Sequence, residues 1–169
     1  MNINDVLRQQ TKAAHDWLEA TFQGVNHDQA HWKPAGTANT IAASYAHVVT
    51  SEDAIVNVML KGGAPMMATS WAGKTGLSAL PPQGDQWFEW GRNLKMEKPA
   101  FQKYAQAVYA NTDAYIASLK ESDLLRKVQS PAGEMTVLQM LGVLAHHARD
   151  FSGEISAVKG IQGLKGYPA

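Results

Sequence analysis

The stretch LAHHARDFSGEIS, residues 144–156, is the most informative part of this sequence for the fold, because its spacing places polar groups on an otherwise apolar helical face. Residues three, four and seven positions apart share one side of an α-helix. Starting from His147, this spacing selects Asp150, Phe151 and Glu154. Apolar residues extend the same stripe in both directions, which predicts a helix packed inside a bundle. The polar members of such a stripe need partners or a bound cation.

The helix that contains this stretch is predicted to span residues 137–159. It begins after a capping box in which Thr136 is followed three positions later by Gln139. It ends before the glycine-rich tail GIQGLKGYPA. Just upstream, a Ser-Pro-Ala-Gly sequence indicates a tight turn, and a small hairpin is one way to form it.

Three further helical segments precede this one. Apolar residues recur at helical spacing over residues 5–22, and again up to residue 61 after the capping residues Asn39 and Thr40. A third region starts near Gln86 and runs to about residue 120, with Pro99 marking a break or a fresh first turn. The polar connector between the first two segments has room for one helical turn.

Residues 64–85 form a long connection rich in Gly, Pro, Ser and Thr. A connection of this length inside a compact domain is either functional or a packed crossover between distant helices. Four long helices, one long crossover and little strand signal predict an all-α protein, a four-helix bundle. With 169 residues the chain is expected to form a single domain over residues 1–169.

The composition excludes several classes of function. Lys and Arg together number 15 and match the 15 Asp and Glu, so no broad field attracts nucleic acid or a membrane surface. Without cysteine, thiolate metal sites and disulfides are excluded. The N-terminal residues do not resemble a signal peptide, and a cytoplasmic protein is expected. Helix faces of such a bundle are able to form a homodimer, although no interface is diagnostic.

His47 on the second helix is the counterpart of His147. Its face of the helix carries small residues such as Ala43, Ser44 and Ala54, which leave room for an imidazole to reach across a bundle. Two histidines from facing helices and a carboxylate form a ligand set that zinc, nickel or iron accepts. An inward histidine is also commonly a hydrogen-bonded core residue, so the residue types leave both interpretations open.

Two separated stretches resemble the DinB-like family of four-helix proteins, which has metal-dependent members. The first is WKPAGTANTIAASYAHVVTSEDAIVN, residues 32–57, where a loop with Trp, Pro and Gly precedes the helix that carries His47. The second is HARDFSGEISAVKGIQGLKGYP, residues 147–168, which is similar to a last helix with the pattern His-x-x-x-His. The resemblance covers most of the chain and implies a DinB-like four-helix bundle.

The resemblance implies three histidines around one divalent metal ion, with open positions for water or substrate. His47 and His147 match two of them, and the third position falls on Phe151, which cannot bind a metal. Asp150 is the hypothesised replacement, which gives two histidines and one carboxylate for zinc, nickel or iron. Glu154 is expected to replace it or to hydrogen-bond an imidazole. In the remaining alternative Phe151 fills the volume and no metal binds.

The function implied by the resemblance is that of a metal-dependent hydrolase or a thiol-dependent transferase acting on a small molecule. A divalent ion lowers the pKa of a bound water or thiol and so produces the nucleophile. The sequence does not identify the catalytic residues. The alternative is a non-catalytic helical bundle that binds a small ligand or a partner after the loss of one metal histidine. Enzyme and binding protein both remain open at this point.

The other polar candidates have weaker patterns. His15 on the first helix is a reserve candidate for the site, because it is able to approach the end of the bundle where ligands gather. His27 and His31 have the spacing of a helical metal pair, but they lie in the polar connector, where a solvated loop is expected. Glu52 and Asp53 lie off the histidine-bearing face of the second helix, and structural pairing is their expected role.

Overall fold

The computed structural model describes residues 2–82 and 86–168 and confirms the all-α architecture. Within these residues, regular strands occur only in one antiparallel hairpin. The elements in chain order are α1 (Ile3–Phe22), α2 (His27–His31), α3 (Ile41–Ala54), α4 (Trp87–Asn93), α5 (Lys98–Ser118), β1 (Lys127–Ser130), β2 (Gly133–Thr136) and α6 (Val137–Ile161).

Capping side chains fix where the long helices begin. The α1 helix starts two residues earlier than predicted because Asn2 accepts a hydrogen bond from the Asp5 amide, and the Asp5 side chain caps in return. The predicted capping box at the start of α6 is confirmed, with the Gln139 amide donating to Thr136 Oγ1 at 3.1 Å. Each such cap stabilises its helix by about 1 kcal/mol.

The polar connector after α1 is not a solvated loop but contains the short helix α2. Asn26 caps it through the Gln29 amide. His31 is held at both ring nitrogens, since Nδ1 lies 2.8 Å from the His27 carbonyl oxygen and Nε2 accepts from the Met96 amide at 3.0 Å. This histidine therefore ties α2 to the segment before α5 and has no nitrogen left for a ligand.

The second predicted helix continues past α3 as a π-helical turn over Ile55–Leu60. It ends at the predicted place, where Gly62 adopts a positive φ of 70°. A π-turn widens the helix and changes the direction of the side chains that follow it. Upstream of this turn, all residues of α3 from 41 to 50 except one are buried, so this part of the helix lies in the middle of the bundle.

The main core lies where the four long helices α1, α3, α5 and α6 meet. The α1 helix packs along both α5 and α6, and α3 packs on α6. Large side chains with no exposed surface fill the centre, among them Leu18, Tyr45, Phe101 and Ile155. Burial of each such side chain stabilises the fold by about 1.5–3 kcal/mol.

The long crossover packs against the bundle through a buried carboxylate. Asp53 accepts hydrogen bonds from the Met66 and Met67 amides at 2.8 and 2.9 Å, and from the Tyr104 hydroxyl at 2.6 Å. Trp71 then covers the Tyr104 ring. The described part of the crossover is thus a packed segment, while the last three residues of the predicted stretch, 83–85, lie outside the described residues.

Among the described helices, none combines the length and the apolar character that crossing a membrane requires.

Candidate functional site

Two histidines from opposite helices meet inside the bundle, as the sequence predicts. His47 projects from the middle of α3 and His147 from the middle of α6. Their ring centroids lie 4.9 Å apart, with the rings at 72° to one another. Both side chains are partly buried. The packing of α3 on α6 is therefore what brings the two imidazoles together.

Aromatic rings surround this histidine pair. The Phe151 ring lies 4.8 Å from each imidazole, measured between centroids. The Trp87 ring on α4 contacts His47 edge to face at 4.3 Å, and Trp90 contacts Trp87 at 4.9 Å. An apolar ring in contact with both histidines thus fills the position where the family resemblance implies a third metal ligand.

Burial makes both imidazoles difficult to protonate. Burial, together with the nearby His147, lowers the pKa of His47 to about 4. Burial also lowers the pKa of His147, while the negative charges of Asp150 and Glu52 oppose this shift. Both rings are therefore neutral at pH 7, and each offers one lone pair and one N–H group.

One nitrogen of the pair is without a partner. Nδ1 of His47 is buried and accepts or donates no hydrogen bond in the described part of the chain. Leaving a buried polar atom unpaired costs about 1–3 kcal/mol, and native structures generally avoid it. Nδ1 of His47 is therefore available for a hydrogen bond to a water or a ligand.

A small cavity lies next to this pair. It has a volume of about 120 Å³. Its walls are mostly aromatic, with one amide and one imidazole as polar groups, and they are formed by Asn39, Ala43, His47, Trp87, Trp90 and Phe151. No Asp, Glu, Lys or Arg side chain is among these residues, and His47 is neutral at pH 7, so the cavity is suited to a small uncharged molecule.

The carboxylates expected to complete a metal site are placed elsewhere. Asp150 is exposed on α6 and acts on His147 only through its charge. Glu154 accepts hydrogen bonds from Asn39 at 2.8 Å and from Ser44 at 3.0 Å, so it bonds neither imidazole. Over residues 2–82 and 86–168, no three His, Asp or Glu side chains gather closely enough to hold a metal ion.

The reserve candidate His15 belongs to a different part of the bundle. Its Nε2 lies 2.8 Å from Glu52 Oε2, and its ring stacks on Tyr109 at 3.9 Å. Thr112 donates a second hydrogen bond to Glu52 at 2.6 Å. The structure therefore brings His47, His147 and Phe151 together, and it leaves His15 outside this group.

The metal that the family resemblance implies is only partly matched by these side chains. Two neutral imidazoles with a 4.9 Å centroid separation suit a shared ion, because a zinc–nitrogen bond of about 2.0–2.1 Å places such rings about 5 Å apart. A catalytic zinc site, however, needs three protein ligands. Phe151 supplies none, and neither Asp150 nor Glu154 replaces it. The donor set does not fit the family's three-ligand centre.

Sequence reasoning missed the contribution of α4 to the site. Trp87 and Trp90 form much of the cavity wall, but no periodic pattern connects them with the histidines. Their position in the sequence was the one available signal. Both tryptophans follow the long crossover, and a segment that returns to the bundle in this way is expected to pack against it. Asn39, expected as a helix cap, instead hydrogen-bonds Glu154, and Thr40 is the cap.

Comparison with known proteins supports the fold. The model of the DinB superfamily matches residues 10–151. A solved structure described as a conserved protein from Enterococcus faecalis superposes with a TM-score of 0.76 at 17% sequence identity, over 96% of this chain and 99% of that chain. At this identity the likeness shows the fold alone. No curated protein matches the sequence.

Proposed function

The chain belongs to the DinB superfamily, whose model matches most of its length, and from this premise we propose that it is a non-catalytic binding protein for a small uncharged ring. The observation that carries the proposal is the position of Phe151. Its ring contacts both imidazoles where the family resemblance implies a third metal ligand. The site thereby exchanges a metal ligand for an apolar wall.

The size of the cavity defines the ligand. Its volume of about 120 Å³ is close to that of an engineered apolar cavity of about 150 Å³ that takes up benzene. Trp87, Trp90 and Phe151 provide flat apolar surfaces for a planar ring. A single six-membered ring is therefore the largest group expected to enter without movement of the walls.

The polar groups of the cavity favour a ring with one hydroxyl. His47 lines the cavity, is neutral at pH 7 and has an unpaired ring nitrogen. Asn39 uses one N–H group in its hydrogen bond to Glu154 and keeps its carbonyl oxygen and second N–H group for a ligand. A hydroxyl group donates or accepts as the His47 tautomer requires. Phenol is the simplest molecule that combines these properties.

Calorimetric titration with phenol tests this proposal. We expect saturable binding to the wild-type protein and none to Ala43→Leu, because Ala43 lines the cavity and a larger side chain fills it. Ala13→Leu on the exposed side of α1 is the matched control and should bind as the wild type does. Equal phenol binding by Ala43→Leu, or no binding by the wild type, would contradict the proposal.

The second candidate function is that of a metal-dependent hydrolase or thiol-dependent transferase, favoured by the unpaired His47 Nδ1. Metal analysis of the purified protein after loading with zinc, nickel or iron separates the two functions. Stoichiometric metal that is lost in both His47→Ala and His147→Ala would support the enzyme. Absence of metal after loading would support the binding protein.

A further inference from the structure

A second cavity lies between α1 and α5, and it shares no lining residue with the histidine cavity. Its volume is about 440 Å³. Two cationic and three anionic side chains line it together with polar and aromatic groups: Arg8, Lys12, Asp16, Glu19, Asp113, His15 and Tyr109 are among them. We propose that this cavity binds a small organic ammonium ion, with Glu19 as counter-ion and His15 as hydrogen-bond acceptor.

Glu19 is the anion of this cavity that has no cation. Its Oε1 accepts hydrogen bonds from the Tyr45 hydroxyl at 2.5 Å and from the Tyr109 hydroxyl at 2.9 Å. Burial, with the Glu19 charge, raises the pKa of both phenols well above the usual value, so both remain neutral donors. Within the described residues Glu19 forms no ion pair, and a partly buried carboxylate in this condition favours a cationic ligand.

The other charges at the cavity are already paired. Arg8 donates two hydrogen bonds to Asp113 at 2.7 and 2.8 Å, and Lys12 lies 2.6 Å from Asp16. These pairs are exposed, whereas Glu19 lies deeper. An anionic ligand would meet the uncompensated Glu19, so the arrangement selects against anions.

The environment of His15 supports the proposed site independently of Glu19. The residue is only 6% exposed, and its Nε2 is bonded to the buried Glu52. A carboxylate accepts that bond, so Nε2 is the donor; in the Nε2–H tautomer that the proposed site uses, Nδ1 carries the lone pair. Nδ1 has no partner in the described part of the chain, and stacking on Tyr109 keeps the ring in place.

These groups specify the ligand chemistry. An ammonium group donates several hydrogen bonds and carries the charge that Glu19 lacks, and His15 accepts one further hydrogen bond from the same molecule. The cavity is several times larger than the histidine cavity, so a ring with an aminomethyl group fits. The inference concerns a different site from the proposed function and does not depend on it.

Calorimetric titration with benzylamine, benzyl alcohol and benzoate at pH 7.5 tests the inference, because these probes share a ring and differ in charge. We expect saturable binding of the protonated amine and at least tenfold weaker binding of the other two. Glu19→Gln should weaken binding of the amine at least tenfold. Asp28→Asn, which removes an exposed carboxylate outside this cavity, should change it less than twofold.

Two additional variants keep the test decisive. His15→Phe keeps an aromatic ring beside Tyr109 and removes the acceptor without removing Glu19, and it should weaken amine binding severalfold if Glu19→Gln does not fold. Ala43→Leu blocks the other cavity and should leave amine binding unchanged, so the two sites succeed or fail separately. The inference is overturned if benzylamine shows no saturation up to 10 mM, or if it binds wild type and Glu19→Gln equally.

Discussion

Helix α3 carries two polar residues with opposite environments, the buried Asp53 and the partly buried His47. Asp53 has no exposed surface and accepts four hydrogen bonds, two from backbone amides of the crossover and two from the Tyr104 and Asn57 side chains. His47, less than two turns away, has a buried Nδ1 with no partner. Other residues of the chain donate all four hydrogen bonds to Asp53, whereas none within the described residues bonds Nδ1 of His47.

This difference separates structural groups from groups that await a ligand. A buried carboxylate is stable only when its acceptors are used, and at Asp53 they fix the crossover to the bundle. An imidazole with an unused nitrogen among aromatic rings contributes less to folding than an apolar side chain of the same shape. The presence of His47 at this position is therefore explained better by binding than by stability.

The largest effect is expected for Asp53→Asn. An amide has one acceptor oxygen where the carboxylate has two, and its NH₂ group would face either the Met66 amide or the Met67 amide, because these donate to different oxygens of Asp53. We expect the free energy of unfolding to fall by about 3–5 kcal/mol, measured by urea denaturation. The exposed Asp16→Asn is the control and should change it by less than about 0.5 kcal/mol.

The next largest effect is expected for Phe151→His. A third imidazole in contact with His47 and His147 restores the three protein ligands of a catalytic zinc site. We expect zinc to bind about 100-fold more tightly than to the wild type, which corresponds to about 2.7 kcal/mol. Competition with a chromogenic chelator measures both affinities. Equal affinities would show that the ring geometry does not support a shared ion.

The pH dependence of stability should show a smaller effect from His47. Its pKa is about 4 in the folded protein and near its usual value when unfolded, so the unfolded chain binds the proton more readily. The stability is complete above about pH 6.5 and is lost as the pH falls toward 4. Between pH 7 and 5 we expect a loss of about 2 kcal/mol.

Urea denaturation of metal-free protein at several pH values provides the measurement. His47→Phe keeps a ring of similar size and should remove this part of the pH dependence. If wild type and variant lose the same stability between pH 7 and 5, the protonation of other groups controls the acid response.

The helical architecture and the meeting of His47 with His147 were predictable from periodicity, caps and the family resemblance. Both depend on local signals: helical spacing places each histidine on an inward face, and antiparallel packing then brings the faces together. The capping box of Thr136 with Gln139 correctly predicted the first residue of α6. Such features depend on residues close in sequence.

The rest of the site depends on contacts between distant residues. Glu154 was expected near an imidazole, but its hydrogen bonds to Asn39 and Ser44 follow from the relative rotation of α3 and α6, which no local pattern specifies. The Trp87 contact with His47 results from the path of the crossover. The pairing of His15 with Glu52 joins residues 37 positions apart.

An NMR titration of the metal-free protein with zinc, followed at the imidazole signals of His47 and His147, distinguishes a binding protein from a metal centre. We expect that one equivalent of zinc at low micromolar concentration leaves both signals of the wild type unchanged, while phenol shifts those of His47 in a saturable way. Stoichiometric changes of both histidine signals on adding zinc, with no response to phenol, would contradict this expectation.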